Sequence, residues 1–380
     1  MTSTIVALDL GTTHIRAIEA EIKNGKQPKI KKVYMHPLPA NVITSGEINH
    51  EEDLTKALKE IWVKAKFSSK FVFAMAAGDS VDTRVKDVPW SSDEDLVKAL
   101  SFYIKDDVML GDASEFYYGA HTLYEYFKPS ERSESAPPDH MKTILLTAVK
   151  RRFVDSFTKS AEAAGLRPYS MDVLPLALIR ATAGSQDIPE NASVVSIDIG
   201  GDVVTIVVHR NLQPLYISSA PLLGGVRVTS QIAQTLGISL IEAELLKTSF
   251  SVPAENRNDL MTPIINDDGT VEEIYYRNFT TSQKEVAANL ISREVTNLVT
   301  HIGDILEDAF TDSNPFRLIL SGGGAGLYTL QGRIQAELGV PTVISRPLDN
   351  YNGKLPEDMV INQHIYTAIY GLIVGQDETK

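Results

Sequence analysis

Cysteine is absent from the 380 residues. That removes disulfides, thiolate nucleophiles and cysteine-based zinc or iron–sulfur sites, and fits a reducing cytoplasm. No run of about 18 uninterrupted apolar residues occurs. Met1-Thr2-Ser3-Thr4 passes straight into a strand pattern with no basic segment or signal-peptide core. Neither a membrane span nor secretion is expected. Positive charge is in deficit, with 36 Lys and Arg against 49 Asp and Glu and a net charge of -13. A pI near 5.1 argues against nonspecific nucleic-acid binding and against electrostatic docking on anionic lipid, so membrane association falls to a partner. The 8 histidines are scattered, and none has the spacing of a metal cluster.

What is present describes a globular protein with a sizeable core: 43% hydrophobic and 22% charged residues, with a mean hydropathy of -0.07. The length exceeds one ordinary core and predicts two large lobes, or three to four subdomains of roughly 100 residues. Three glycine-bearing turns, each after an apolar run, organise the chain: Asp9-Leu10-Gly11-Thr12-Thr13, Asp198-Ile199-Gly200-Gly201-Asp202 and Ser321-Gly322-Gly323-Gly324-Ala325. The strands leading into the first two align at a constant offset of 189 residues, from Asp9 to Asp198. This is an internal duplication.

Periodicity predicts a hairpin at 5–19 rather than the strand-then-helix of a P-loop, and a strand at 30–35. A helix follows over 50–66 with Leu54, Leu58, Ile61, Trp62 and Ala65 on one face. Residues 79–172 read as an inserted α+β module. It holds a strand at 81–88, a helix opened by a Ser91/Glu94 capping box, a mobile loop at 128–140, a strand at 142–149 and a helix at 152–164. The first lobe then comprises 1–78 with its return and crossover at 173–193. The second lobe spans 194–380, with helices at 228–236, 238–247 and 283–310, a smaller subdomain at about 240–310, and a last helix at 363–375.

The turn chemistry points to phosphate. Glycine lets backbone N–H groups approach an anion, and the Thr12 and Thr13 hydroxyls add donors. Asp9 and Asp198, at matching strand ends, suit magnesium, which keeps its waters and takes one or two carboxylates beside substrate phosphates. Glu244 and Lys247 stand i, i+3 on one helical face and reach one ligand together, or form a solvated ion pair.

These residues carry a resemblance. The two aspartate turns, with Thr205 in the second return strand, and the Gly322-Gly323-Gly324 turn resemble the two phosphate motifs and the adenosine motif of the actin, sugar kinase and heat-shock chaperone ATPase superfamily. Over nearly its whole length the chain resembles the PilM family of type IV pilus assembly proteins and its cell-division relative FtsA. The resemblance lies in Gly11 to Arg16, where a basic residue follows the turn, and in Gly224-Gly225-Val226-Arg227-Val228-Thr229 followed by Ala243 to Lys247. It implies a two-lobed α/β actin-like ATPase fold of duplicated ribonuclease H-like domains, with the insertion in the first lobe. It also implies an ATP and Mg2+ site at Gly11, Thr12, Thr13, Arg16, Asp198, Gly200, Gly201, Thr205, Gly225, Glu244, Lys247, Gly322, Gly323 and Gly324, with Asp9 and Asp198 toward the metal.

The implied partner is the cytoplasmic N-terminal peptide of a PilN-like inner-membrane protein, held in a groove of the first lobe; Trp90, Phe102, Tyr103, Phe116, Tyr117 and Tyr118, beside the inserted module, are candidates for its lining, with at least half of them expected to be core. Location would be cytoplasmic and peripheral, without direct membrane insertion, and self-association is a further property the bound nucleotide would tune. Two alternatives stand beside this reading. An FtsA-like filament protein would end in a basic amphipathic helix, which the acidic end at 375–380 does not supply. A sugar-kinase-type phosphotransferase would need a catalytic Asp facing a sugar pocket, and no segment matches one.

Overall fold

The computed structural model describes residues 2–23, 25–107, 112–128, 138–182, 187–221, 223–265, 271–310, 315–327 and 329–376. Two strands with nearly continuous apolar runs form its framework, β1 (Thr2–Leu10) and β11 (Ser193–Ile199). Each lies inside a five-stranded sheet, between one antiparallel and one parallel neighbour, and carries buried residues on both its faces.

In the first lobe β1 is followed by β2 (His14–Lys23) and β3 (Lys29–Pro37), then by a two-residue hairpin of β4 (Ile43–Thr44) and β5 (Glu47–Ile48). Helix α1 (Glu51–Ala65) opens with Glu51, Glu52 and Asp53 in its first turn, where carboxylates favour the helix dipole; it ends on Lys66 in the left-handed region. β6 (Phe71–Ala76) leads out of the sheet into an inserted three-stranded antiparallel sheet of β7 (Val81–Pro89), β8 (Phe116–Lys128) and β9 (Asp139–Lys150), with α2 (Asp93–Asp107) on one face. The α2 cap sits one residue later than the expected Ser91/Glu94 pair: the Asp95 N–H donates to Ser92 Oγ at 3.2 Å. The loop expected at 128–140 lies largely outside the described residues, and β8 and β9 extend to its edges.

The chain then forms α3 (Arg151–Ala163) and β10 (Arg167–Val173). Both belong physically to the first lobe: Phe153, Phe157 and Ala161 join the core under β1 and α1, and β10 pairs parallel with β6. The sheet order is β10-β6-β1-β2-β3.

α4 (Leu174–Ala181) precedes the second lobe, where β12 (Val203–Arg210) and β13 (Gln213–Pro221) complete a meander with β11. Next come α5 (Gly225–Leu236) and α6 (Leu240–Ser249), then a hairpin of β14 (Met261–Ile265) and β15 (Val271–Tyr275), and the long α7 (Thr281–Ala309). Capping boxes at Ser239/Glu242 and Thr280/Gln283 start α6 and α7. β16 (Arg317–Ser321), α8 (Leu330–Leu338), β17 (Thr342–Ile344), α9 (Glu357–Ile361) and α10 (Thr367–Gly375) close the chain. The second sheet, β13-β12-β11-β16-β17, repeats the order and directions of the first.

The lobes exchange their terminal helices. α10 packs on β1, β2 and β6, whereas α4 packs chiefly on β12, and the two helices pack on each other. A Cβ on Gly371 would stand 1.8 Å from the Ala177 carbonyl oxygen, so only glycine permits this crossing. The resulting core joins Ile5, Ala7 and Ile18 of the first sheet to Val207 of the second.

Candidate functional site

The duplication extends to side-chain register. Asp9 faces Arg16 across β1–β2, and Asp198 faces Thr205 across β11–β12, each pair at the same offset. Both turns close identically, the Gly11 N–H donating to the His14 carbonyl at 3.1 Å and the Gly200 N–H to the Val203 carbonyl at 3.0 Å. A Cβ at either glycine would meet that same carbonyl oxygen, at 2.8 and 2.9 Å. Close approach, not a positive φ, therefore requires these two glycines. Gly322 differs, with a φ of +80°.

The two turns and the Gly322-Gly323-Gly324 segment meet at a cleft of about 290 Å³ between the lobes. Asp9, Gly11, Thr12, Thr13, Arg16, Asp198, Gly200, Gly201, Thr205, Gly225, Glu244, Lys247, Gly322, Gly323 and Gly324 all line it. A 3-10 turn over Gly323–Gly326 follows the third turn, ahead of α8.

Each part of the cleft is braced. Arg16 Nη1 contacts Asp9 Oδ2 at 3.0 Å, while the Arg16 Nε is buried without a protein partner. The Ser321 hydroxyl donates to Asp198 Oδ1 at 2.9 Å. Burial, and to a lesser degree the charge of Asp9, nevertheless pushes the Asp198 carboxyl up to about 6, despite that hydrogen bond and Arg16. Burial, then Arg16, holds His14 below the ordinary imidazole value.

Lys247 Nζ donates to the Gly225 carbonyl at 3.1 Å and to Thr229 Oγ1 at 2.9 Å, and pairs with Glu244 Oε2 at 2.7 Å. The N-terminus of α5 is spent on the second turn: the Gly225 and Val226 N–H groups donate to the carbonyls of Gly200 and Gly201. Gly224 allows this approach, since a Cβ there would stand 2.2 Å from the Gly201 oxygen.

Sequence reasoning passed over Asp202. Its Oδ2 accepts from the Thr12 hydroxyl at 3.0 Å and from the Ser45 N–H at 2.7 Å, both across the cleft. Met35, Met75 and Leu174, also unanticipated, form an apolar wall. Among the aromatic residues expected near a partner groove, Phe116 is core at 2% exposure, whereas Trp90, Phe102, Tyr117 and Tyr118 are exposed. Among the described residues no group of three or more His, Asp or Glu converges as a metal site, and no helix is long and apolar enough to cross a membrane.

Paired meanders with an aspartate strand end and a glycine turn on each side of one cleft define a class, the two-lobed α/β proteins of actin-like ATPase fold. Solved structures agree. MreB 5 of Spiroplasma citri bound to AMPPNP is similar over 99% of this chain and 96% of that one, at 13% identity and a TM-score of 0.51. Ethanolamine utilization protein EutJ from Carboxydothermus hydrogenoformans is similar over 98% and 89%, at 13% identity and a TM-score of 0.53. The family model of type IV pilus assembly protein PilM matches residues 7–292, and the chain belongs to that family. A chain of the PilM-PilN type IV pilus biogenesis complex is similar over 99% of both chains, at 18% identity and a TM-score of 0.78.

Proposed function

We propose that this type IV pilus assembly protein is a nucleotide-binding scaffold, with ATP and magnesium between its lobes. The observation that carries the proposal is the convergence of three sequence-distant glycine turns on one cleft. The residues fit the ligand. The orphaned Arg16 Nε and the Thr12 and Thr13 hydroxyls supply donors for phosphate. A Cβ on Gly323 would meet no atom within 4 Å, leaving an open cradle. Asp9 and Asp198 would hold magnesium through its waters, and the ion would supply charge neutralisation for the phosphates and for the half-buried Asp198. Lys247 and Glu244 would orient the nucleoside from α6.

The second half of the proposal is recruitment. Likeness to a PilM–PilN complex over nearly the full length of both chains supports capture of the N-terminal peptide of a PilN-like inner-membrane protein. The chain would work at the cytoplasmic face of the membrane, held there by that partner. Calorimetric titration with such a peptide, with and without Mg·ATP, tests this half. The expected result is one peptide per chain and an affinity that changes with nucleotide, the mark of linked sites. Nucleotide binding without peptide binding would overturn recruitment and leave the cleft assignment standing.

A further inference from the structure

The β4–β5 hairpin is a short finger reaching from the first lobe to the second. Its two central residues, Ser45 (φ 49°) and Gly46 (φ 76°), both have positive φ, as a type I′ hairpin turn requires. The finger is packed hard at its tip: a Cβ on Gly46 would lie 2.5 Å from the Ala77 carbonyl oxygen and 2.8 Å from the Ser80 nitrogen. That tip places the Ser45 N–H on Asp202 Oδ2, the oxygen that also accepts from Thr12. At the same place the two phosphate-type turns touch, since a Cβ on Gly201 would lie 3.2 Å from Thr12 Cβ. Directly beside that turn, Glu47 pairs with Lys150 at 3.1 Å and Arg152 at 3.7 Å, where β9 passes into α3. One hydrogen-bonded chain thus runs from a phosphate-type turn to the root of the inserted module.

We propose that Asp202 and the Ser45 finger form a nucleotide-responsive latch, in which incoming phosphate and the Asp202 carboxylate compete for the Thr12 turn. The inference rests on the nucleotide reading of the cleft. Its chemistry is charge and occupancy. The Thr12 hydroxyl has one proton to donate, and a carboxylate is already its acceptor. A polyanion placed at that turn takes the donor and repels Asp202. Asp202 then releases the Ser45 N–H, and the finger moves relative to the second lobe. Because Glu47 is tied to Lys150 and Arg152, the root of the inserted module follows, which connects nucleotide occupancy to a partner-binding region.

The test uses the full chain, Mg·ATP, and the variants Asp202→Asn and Asp202→Ala. Asp202→Asn keeps an acceptor but removes the charge, and its near-identical shape guards against misfolding. Both variants are expected to bind Mg·ATP more tightly than the native chain, by about tenfold for Asp202→Ala, the size of one charge-assisted hydrogen bond. Hydrogen–deuterium exchange over residues 42–50 is expected to rise when native protein binds Mg·ATP. In Asp202→Ala it should already be raised without nucleotide and respond no further. Weaker binding by Asp202→Ala would overturn the latch and make Asp202 a ligand-holding group, with the cleft assignment intact. Nucleotide binding with unchanged exchange over 42–50 would also overturn it. If neither native protein nor variants bind Mg·ATP, the cleft reading itself fails, and the latch with it.

Discussion

At the residue scale Asp198 is the costliest group in the cleft. Its carboxyl titrates near 6 in the fold against an unfolded value near 3.9, so the folded protein resists its ionisation. Stability therefore falls as pH rises from about 4 to about 6, and the whole penalty, on the order of 3 kcal/mol, is present at pH 7. Asp198→Asn should stabilise the nucleotide-free protein at pH 7 by about 1–3 kcal/mol in urea unfolding, with the gain vanishing near pH 4. The same variant should weaken Mg·ATP binding at least about tenfold, because an amide is a poor partner for magnesium. A destabilised Asp198→Asn at pH 7 would contradict this electrostatic account. Asp198 was legible in the sequence, since its turn repeats that of Asp9. Asp202 stands four residues away but was not, because its partners Thr12 and Ser45 reach it only through the closure of two lobes, which no local pattern encodes.

At the element scale the legible parts are those whose burial imposes a period. α1 and α7 carry clear apolar stripes, and β1 and β11 read as continuous apolar runs because both faces of each are covered. β8 gives no such signal: it is an edge strand with residues such as Tyr117, Tyr124 and Phe127 exposed, and a bulge between Thr122 and Tyr124 breaks its alternation. α3 and β10 were grouped with the insertion because they adjoin it in sequence, yet their apolar faces complete the first-lobe core. The crossing of α4 and α10 was equally hidden, since Gly371 looks like any glycine in an apolar helix. A side chain there must separate two packed helices, so Gly371→Val should lose more than about 3 kcal/mol of stability. Thermal and urea melts check this, and a variant as stable as the native chain would show that the helices do not meet as described.

At the scale of the whole molecule the central device is duplication. Two meanders of the same order each present an aspartate strand end and a glycine turn to one cleft, and each lobe lends the other its terminal helix. A ligand held between the lobes would thereby be tied to their relative position. The 189-residue repeat exposed the duplication in the sequence, but the helix exchange and the Ser45 finger arise only when the lobes meet. The most direct measurement is a calorimetric titration of Mg·ATP into the native chain and, side by side, into Gly323→Leu. That side chain would enter the open cradle without meeting protein at its Cβ. Saturation at one nucleotide per native chain, with no binding by a Gly323→Leu protein that melts at the native temperature, is the expected result. Equal binding by both proteins, or none by the native chain, would contradict the assignment of the cleft.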